Sequence, residues 1–251
     1  MPRESREFIN DEIYHVIIRR IGEEKLFLDV DDYYRGIFSI YEFNSTELVT
    51  IRNRRAARIR FKNTISEANN DENFVATKDK ILATRNKEGL LVEILAFCFM
   101  PNHIHLLIKQ LKDKGISKFM LKVESGYAAY FKNKYGVKIR GHFFQDKFKA
   151  VHIKTNDQLK TVFVYIHANP VSLIEPKWKE IGIKNYDNVI QFLGEKYRWS
   201  SYFDYIGKKN FPSVVQMNFL VKTIGEPSEC RRIVEDWMKY REDETQKFKK
   251  L

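Results

Sequence analysis

At 251 residues, with 43% hydrophobic and 31% charged residues, the chain suits one globular domain with embellishments or a small appendage. No run approaches the ~18 apolar residues of a membrane span, and the start MPRESREF lacks the apolar stretch of a signal peptide. The excess of 44 Lys and Arg over 33 Asp and Glu, +11 in all, beside 19 Phe, 13 Tyr and 3 Trp, suits a polyanionic partner with bases to stack.

Ile13 to Arg20 reads as the first strand, with Tyr14, Val16 and Ile18 alternating against His15, Ile17 and Arg19. His15 has no partner visible in the sequence and reads as a structural residue. After a turn at Gly22 to Glu24, Leu26 to Leu28 continues the extended chain. Asp31 to Phe43 reads as a helix with Tyr34, Ile37, Phe38 and Tyr41 on one face. A strand followed by a helix suits an α+β layer in which helices cover an antiparallel sheet. From Asn44 to Gly89 the pattern is weakest. It holds a basic run, Ile51 to Lys62, that includes Arg52, Arg54, Arg55, Arg58 and Arg60, then a polar stretch at Ser66 to Asn73. Lys78 to Asn86 is compatible with a helix. The arginines suit a phosphate grip and equally a solvated charged face or loop.

Leu90 to Met100 is a strand too apolar for an exposed edge, and a Pro101-Asn102 turn leads to a second strand opening with His103 and His105. Side chains at i and i+2 share one face of a strand, so the two imidazoles project side by side. On a rigid strand they offer half a site for a divalent metal, or two packed histidines with no ligand at all. Ile116 to Tyr135 is the most periodic helix, with Ile116, Phe119, Met120, Val123, Tyr127, Tyr130 and Phe131 in its buried stripe. A turn and a strand follow over Gly141 to Ile153. Asn156 to Pro170 reads as a helix that Thr155 or Asn156 can cap, with Leu159, Val162, Phe163 and Ile166 on its apolar face and Pro170 closing it. Tyr165 and Asn169, four apart, neighbour each other at the edge of that face. Taken alone they read as a boundary aromatic and a C-terminal cap. Val214 to Tyr240 suggests one or two short helices, and the charged tail REDETQKFKKL is expected to fray. Cys98 and Cys230 give neither a disulfide framework nor a metal-ligand spacing, so a reducing cytoplasm is expected.

Four stretches in series carry a resemblance: MPNHIHLLIKQ (Met100 to Gln110), GHFFQDKFKAVHI (Gly141 to Ile153), VYIHANPV (Val164 to Val171) and YRWSSYFDYIG (Tyr197 to Gly207). In order and spacing they resemble the HUH-type single-tyrosine transposases, specifically the IS200-like group and its REP-associated tyrosine transposase relatives. The resemblance implies an α+β, ferredoxin-like fold, an antiparallel sheet flanked by helices. It implies a transposase domain over residues 1–207 with a basic insertion at about 44–89, and a helical extension over 208–251.

The same resemblance implies chemistry. Tyr165 would be the nucleophile, forming a 5′-phosphotyrosine link to DNA. His103, His105 and Asn169 would hold a divalent ion, Mg²⁺ or Mn²⁺, with Asn169 standing where some relatives carry glutamine. The substrate would be single-stranded or hairpin DNA, with Lys147 and Lys149 and the arginines of the 44–89 region on its backbone. IS200-like relatives act as dimers and REP-associated ones can act as monomers, so a homodimer and a monomer both stay open. Two other readings compete: a domesticated protein that binds or nicks repeated hairpins without transposing, and a metal-dependent hydrolase or regulator sharing only the His-x-His.

Overall fold

The computed structural model describes residues 7–49, 87–137, 142–145 and 148–249. Four strands, β1 (Ile13–Arg19), β2 (Val92–Met100), β3 (His103–Gln110) and β4 (Lys149–Ile153), form one antiparallel sheet in the order β2-β3-β1-β4. The helices among the described residues are α1 (Val30–Glu42), α2 (Gly115–Tyr135), α3 (Asn156–Ala168), the short α4 (Trp178–Ile181), α5 (Tyr186–Gln191) and α6 (Tyr202–Tyr205), then α7 (Asn218–Ile224) and α8 (Pro227–Lys249). The succession β1-α1-β2-β3-α2-β4 with this strand order is ferredoxin-like, as the resemblance implies. Among the described residues no helix is long and apolar enough to cross a membrane.

Strand alternation sorts the sheet into two faces. Val16 pairs with Leu106 and Ile18 with Ile104, while Phe97 and Phe99 of β2 pair with the same two residues of β3. That face is packed by α1 and α2. Gly36 of α1 lies so close to the Phe99 ring that a Cβ there would meet it at 2.7 Å. The stripe of α2 is buried as its periodicity predicts except at Tyr130, which is half-buried, and Tyr127 gives its hydroxyl to the Leu26 carbonyl at 2.7 Å. The start of α1 is locked to the end of α2. Asp32 accepts from the hydroxyls of Tyr130 and Tyr135 and from the Lys134 ammonium, while Asp29 caps the helix.

Three expectations change. Leu26 to Leu28 does not extend β1. Its backbone folds onto the β2–β3 turn, where the Leu26 and Phe27 N–H groups donate to the Pro101 carbonyl. The helix holding Tyr165 does not stop at Pro170, but tightens into a 3₁₀ stretch over Asn169–Leu173. That follows from proline lacking an N–H while tolerating the early turns of a helix. The C-terminal segment is one short helix and one long one, α8, running to Lys249 through the tail expected to fray.

β2 lies at the sheet's edge in topology, yet it is covered, which explains its apolar sequence. The segment after α3 runs along it. Phe99 donates to the Trp199 carbonyl, Ser201 to the Phe97 carbonyl, and Gln216 to the Ile94 carbonyl, all as backbone N–H bonds. Tyr197 and Tyr205 place their hydroxyls on the Phe99 and Leu95 carbonyls. The strand start is held by Asn44, whose side chain accepts from the Leu91 and Val92 N–H groups and donates to the Val92 carbonyl. An edge whose backbone groups are so occupied cannot template another strand.

Candidate active site

The second face of the sheet is where the polar residues collect. Ile17 pairs with His105, Arg19 with His103 and His15 with Leu107, so His15, His103 and His105 all project to the side that α3 covers. The His103 and His105 rings lie 4.8 Å apart between centroids at 79°. His15, diagonal to His105, puts its Nε2 3.0 Å from His105 Nδ1. Tyr165 reaches down from α3 edge-on to both, its ring centroid 5.5 Å from that of His105 and 5.8 Å from that of His15. The tyrosine is 38% exposed, so a reactant in solution has access to a phenol that stands on buried histidines.

Burial keeps these imidazoles neutral. It lowers His15 to about 4 and, with Arg19 and Lys179 adding repulsion, lowers His103 to about 4. Burial and the neighbouring His103 and His15 push His105 well below the usual histidine range. A neutral imidazole is the form that ligates metal. His103 Nδ1 lies 2.6 Å from the Asn102 side-chain oxygen, which can only accept, so Nδ1 carries the proton and Nε2 is bare. Among the described residues His105 Nε2 is buried without a partner, while its Nδ1 meets His15. An orphaned buried imidazole nitrogen beside a second bare one fits an ion that both could ligate, each ring oriented by a hydrogen bond at its far nitrogen. Among the described residues no group of three or more His, Cys, Asp or Glu side chains is disposed to hold a metal. An ion here would therefore depend on an amide, water or substrate oxygen to complete its shell.

Asn169 stands one turn beyond Tyr165 and is buried, not leaning outward. Its amide is committed at both ends: Nδ2 donates to the Tyr165 carbonyl at 2.8 Å, and Oδ1 accepts from Lys179 Nζ at 3.1 Å. The Lys179 ammonium also sits 4.6 Å from the centre of the Tyr165 ring. Asn169 thus serves as the helix cap, and a metal at its oxygen would lie against the Lys179 ammonium.

Residues 57–169 match the sequence model of the IS200-like transposases. That span contains the two histidines, the tyrosine and the asparagine just described. The match covers somewhat under half of the chain. No curated protein matches it. Among solved structures, that of a REP-associated tyrosine transposase bound to a REP hairpin is 14% identical, covering 85% of this chain and 90% of that one, with a TM-score of 0.43.

Within this chain, His103, His105 and Tyr165 come together in a single copy, and Asn169 adjoins them through the Tyr165 backbone. Tyr127, the other tyrosine weighed on the sequence, is core: it is 1% exposed, and burial pushes its hydroxyl far above the usual phenol range. Lys149 is exposed at the start of the edge strand β4. Lys147, Arg52, Arg54, Arg55, Arg58 and Arg60 lie outside the described residues. Two members of the cluster were missed on the sequence. His15 is in phase with Ile17 and Arg19 on β1, but only the β1–β3 register shows that this phase faces His105. Lys179 sits in a short helix with no pattern of its own, and no sequence signal would have found it.

Proposed function

We propose that this chain is a metal-dependent single-strand DNA endonuclease and strand transferase, a transposase that works through a 5′-phosphotyrosine intermediate at hairpin-associated sites. The observation that carries this reading is the half-exposed phenol of Tyr165 set edge-on to two neutral, buried histidines of the same chain. Tyr165 Oη attacks the scissile phosphorus. The P–O3′ bond breaks, its electron pair leaves with the 3′ oxygen, and that oxygen takes up a proton as the phenol gives one up. The new ester conserves the phosphodiester's energy, so a second 3′ hydroxyl can reverse the step and join new ends without ATP.

Bound by His103, His105 and, once Lys179 is displaced, Asn169, a Mg²⁺ or Mn²⁺ ion would polarise the phosphate and offset the charge that develops on it. The imidazole pair suits Mn²⁺ better than Mg²⁺, whose preferred ligands are oxygens. Lys179 adds a positive charge beside the tyrosine. The net charge of +11 suits a DNA partner, with Lys149 and the basic 44–89 region as backbone contacts. Because the cluster forms within one chain, a monomer would suffice for cleavage.

The test is covalent capture. Full-length protein is mixed with labelled single-stranded hairpin DNA and Mn²⁺, then run on a denaturing gel beside Tyr165→Phe and His103→Ala. A denaturant-stable adduct lost in both variants is expected. An adduct that survives Tyr165→Phe would refute the assignment of the nucleophile. DNA binding without any adduct would favour the hairpin-binding alternative.

A further inference from the structure

Two residues of the motif stretches take no part in the chemistry above, His167 in VYIHANPV and Ser201 in YRWSSYFDYIG. Both are fully buried, at 0% exposure. His167 Nε2 lies 2.8 Å from Ser201 Oγ. Phe163, Tyr202 and Tyr205 surround the imidazole, with the Phe163 ring centre 4.3 Å from its own. Burial lowers His167 to about 3 against a smaller opposing effect of the Phe163 carbonyl, so the ring is neutral. The imidazole and the hydroxyl thus form a directional bond inside an otherwise apolar packing face.

The Ser201 end of that bond is anchored to the strand that precedes the histidines. The Phe97 N–H donates to Ser201 Oγ at 3.0 Å, and the Ser201 N–H donates to the Phe97 carbonyl at 3.0 Å. Phe97 adjoins Cys98, which pairs with His105 across the β2–β3 ladder. The His167 end lies on α3, two residues from Tyr165, which is about 200° around a helix of 3.6 residues per turn. The two side chains therefore leave opposite sides of α3, Tyr165 towards His15 and His105, His167 towards Ser201 beside β2. Apolar contacts are non-directional. A hydrogen bond on the far side of the helix fixes its roll.

We infer that His167 and Ser201 are positioning residues for the tyrosine nucleophile. Their bond sets the roll of α3, and so the place of the Tyr165 phenol over His105, from the same strand pair that carries the imidazoles. The inference rests on the strand-cleavage reading above. At 0% exposure neither residue reaches DNA or an ion, so each acts through Tyr165. A nucleophile displaced by about 1 Å loses on the order of 100-fold in rate, which makes the roll of its helix worth a buried polar pair.

The experiment compares the full-length wild type with His167→Phe, His167→Gln, Ser201→Ala and the double variant His167→Phe/Ser201→Ala. Adduct formation with hairpin DNA is timed at saturating DNA and Mn²⁺ and expressed per folded chain, and the affinities for DNA and Mn²⁺ are measured separately. His167→Phe keeps a ring among its aromatic neighbours and loses only the bond. It should slow adduct formation about 10- to 100-fold with both affinities retained. His167→Gln, whose amide reaches the place of Nε2, should recover part of the rate. The double variant should be no slower than the slower single one, because both replacements remove the same bond. A crystal structure of His167→Phe should show the Tyr165 ring moved by about 1 Å or more relative to His105. Equal rates per folded chain, a rate loss matched by the loss of DNA affinity, losses that multiply in the double variant, or an unmoved Tyr165 ring would each overturn the inference. If the wild-type chain forms no adduct, strand cleavage falls, and the crystal structure alone decides whether the bond sets the place of Tyr165.

Discussion

His15 is the sharpest place to test the site, because the sequence marks it as structural and the structure places it behind His105. If His105 ligates through Nε2, its Nδ1–H must have an acceptor, and among the described residues His15 Nε2 at 3.0 Å supplies it. Replacing His15 by Phe keeps a ring of similar size on β1 but removes that acceptor. Both groups are buried, at 6% and 2% exposure, so water does not substitute readily. A buried donor left unsatisfied costs about 1–3 kcal/mol, which is about 5- to 150-fold in an equilibrium constant. Loss of an outer hydrogen bond to a ligating histidine independently predicts about 10- to 100-fold in metal affinity. The measurement is Mn²⁺ binding to the full chain by calorimetry, with His105→Ala as the null control and His15→Gln as a partial rescue through its amide oxygen. His15→Phe should lose at least about tenfold, and the Gln variant should recover part of it. Wild-type affinity in His15→Phe would refute the reasoning and return His15 to a packing role.

Other outcomes follow from the same geometry. Lys179→Gln removes the charge beside Tyr165 and frees Asn169 Oδ1; the adduct should form more slowly while Mn²⁺ binds no more weakly, and a joint loss of both would contradict the view that lysine and ion compete for Asn169. Asn44→Ala orphans two N–H groups and a carbonyl at the start of β2; denaturant unfolding should show a loss of about 3–5 kcal/mol, and a loss under about 1 would mean that the strand end relaxes. Burial raises Glu124 to about 7, against about 4.3 in an unfolded chain, so the folded state holds a proton that the unfolded state releases first and stability falls as pH rises between those values. Discounted for partial exposure, Glu124→Gln should gain about 1–2 kcal/mol at pH 8 and nothing at pH 4; an equal change at both would exclude titration as the cause. Burial pushes Asp32 up, but Lys134, the Leu28 N–H and the two tyrosine hydroxyls more than offset it, leaving it below the ordinary carboxylate range. That stability is present above the unfolded value of about 3.9 and fades as pH falls through the lower folded one, so Asp32→Asn should cost about 2 kcal/mol at neutral pH and much less in acid; a constant difference across pH would refute the linkage.

The elements that could be read from the sequence are those whose physics is local. The stripe of α2 is a 3.6-residue pattern, the His103–His105 pair is a two-residue pattern, and Thr155 caps α3 by accepting from Gln158 as its position predicts. What could not be read depends on pairing between distant segments. Nothing in Leu26 to Leu28 distinguishes a strand from a loop that hydrogen-bonds a turn some seventy residues away. Nothing in β2 says whether a fifth strand or an irregular segment covers it, only that something must. The site divides the same way. His103, His105 and Tyr165 lie on single elements with their own spacing, whereas His15 enters through strand register and Lys179 through a separate short helix. Asn169 shows how far a sequence motif reaches. Its position beside Tyr165 follows from a helix turn, but its burial and its bond to Lys179 do not. A ligand set taken from sequence names donors. Which of them is free to bind is decided by competitors that the motif does not contain, and here the Lys179 ammonium already donates to the Asn169 amide oxygen.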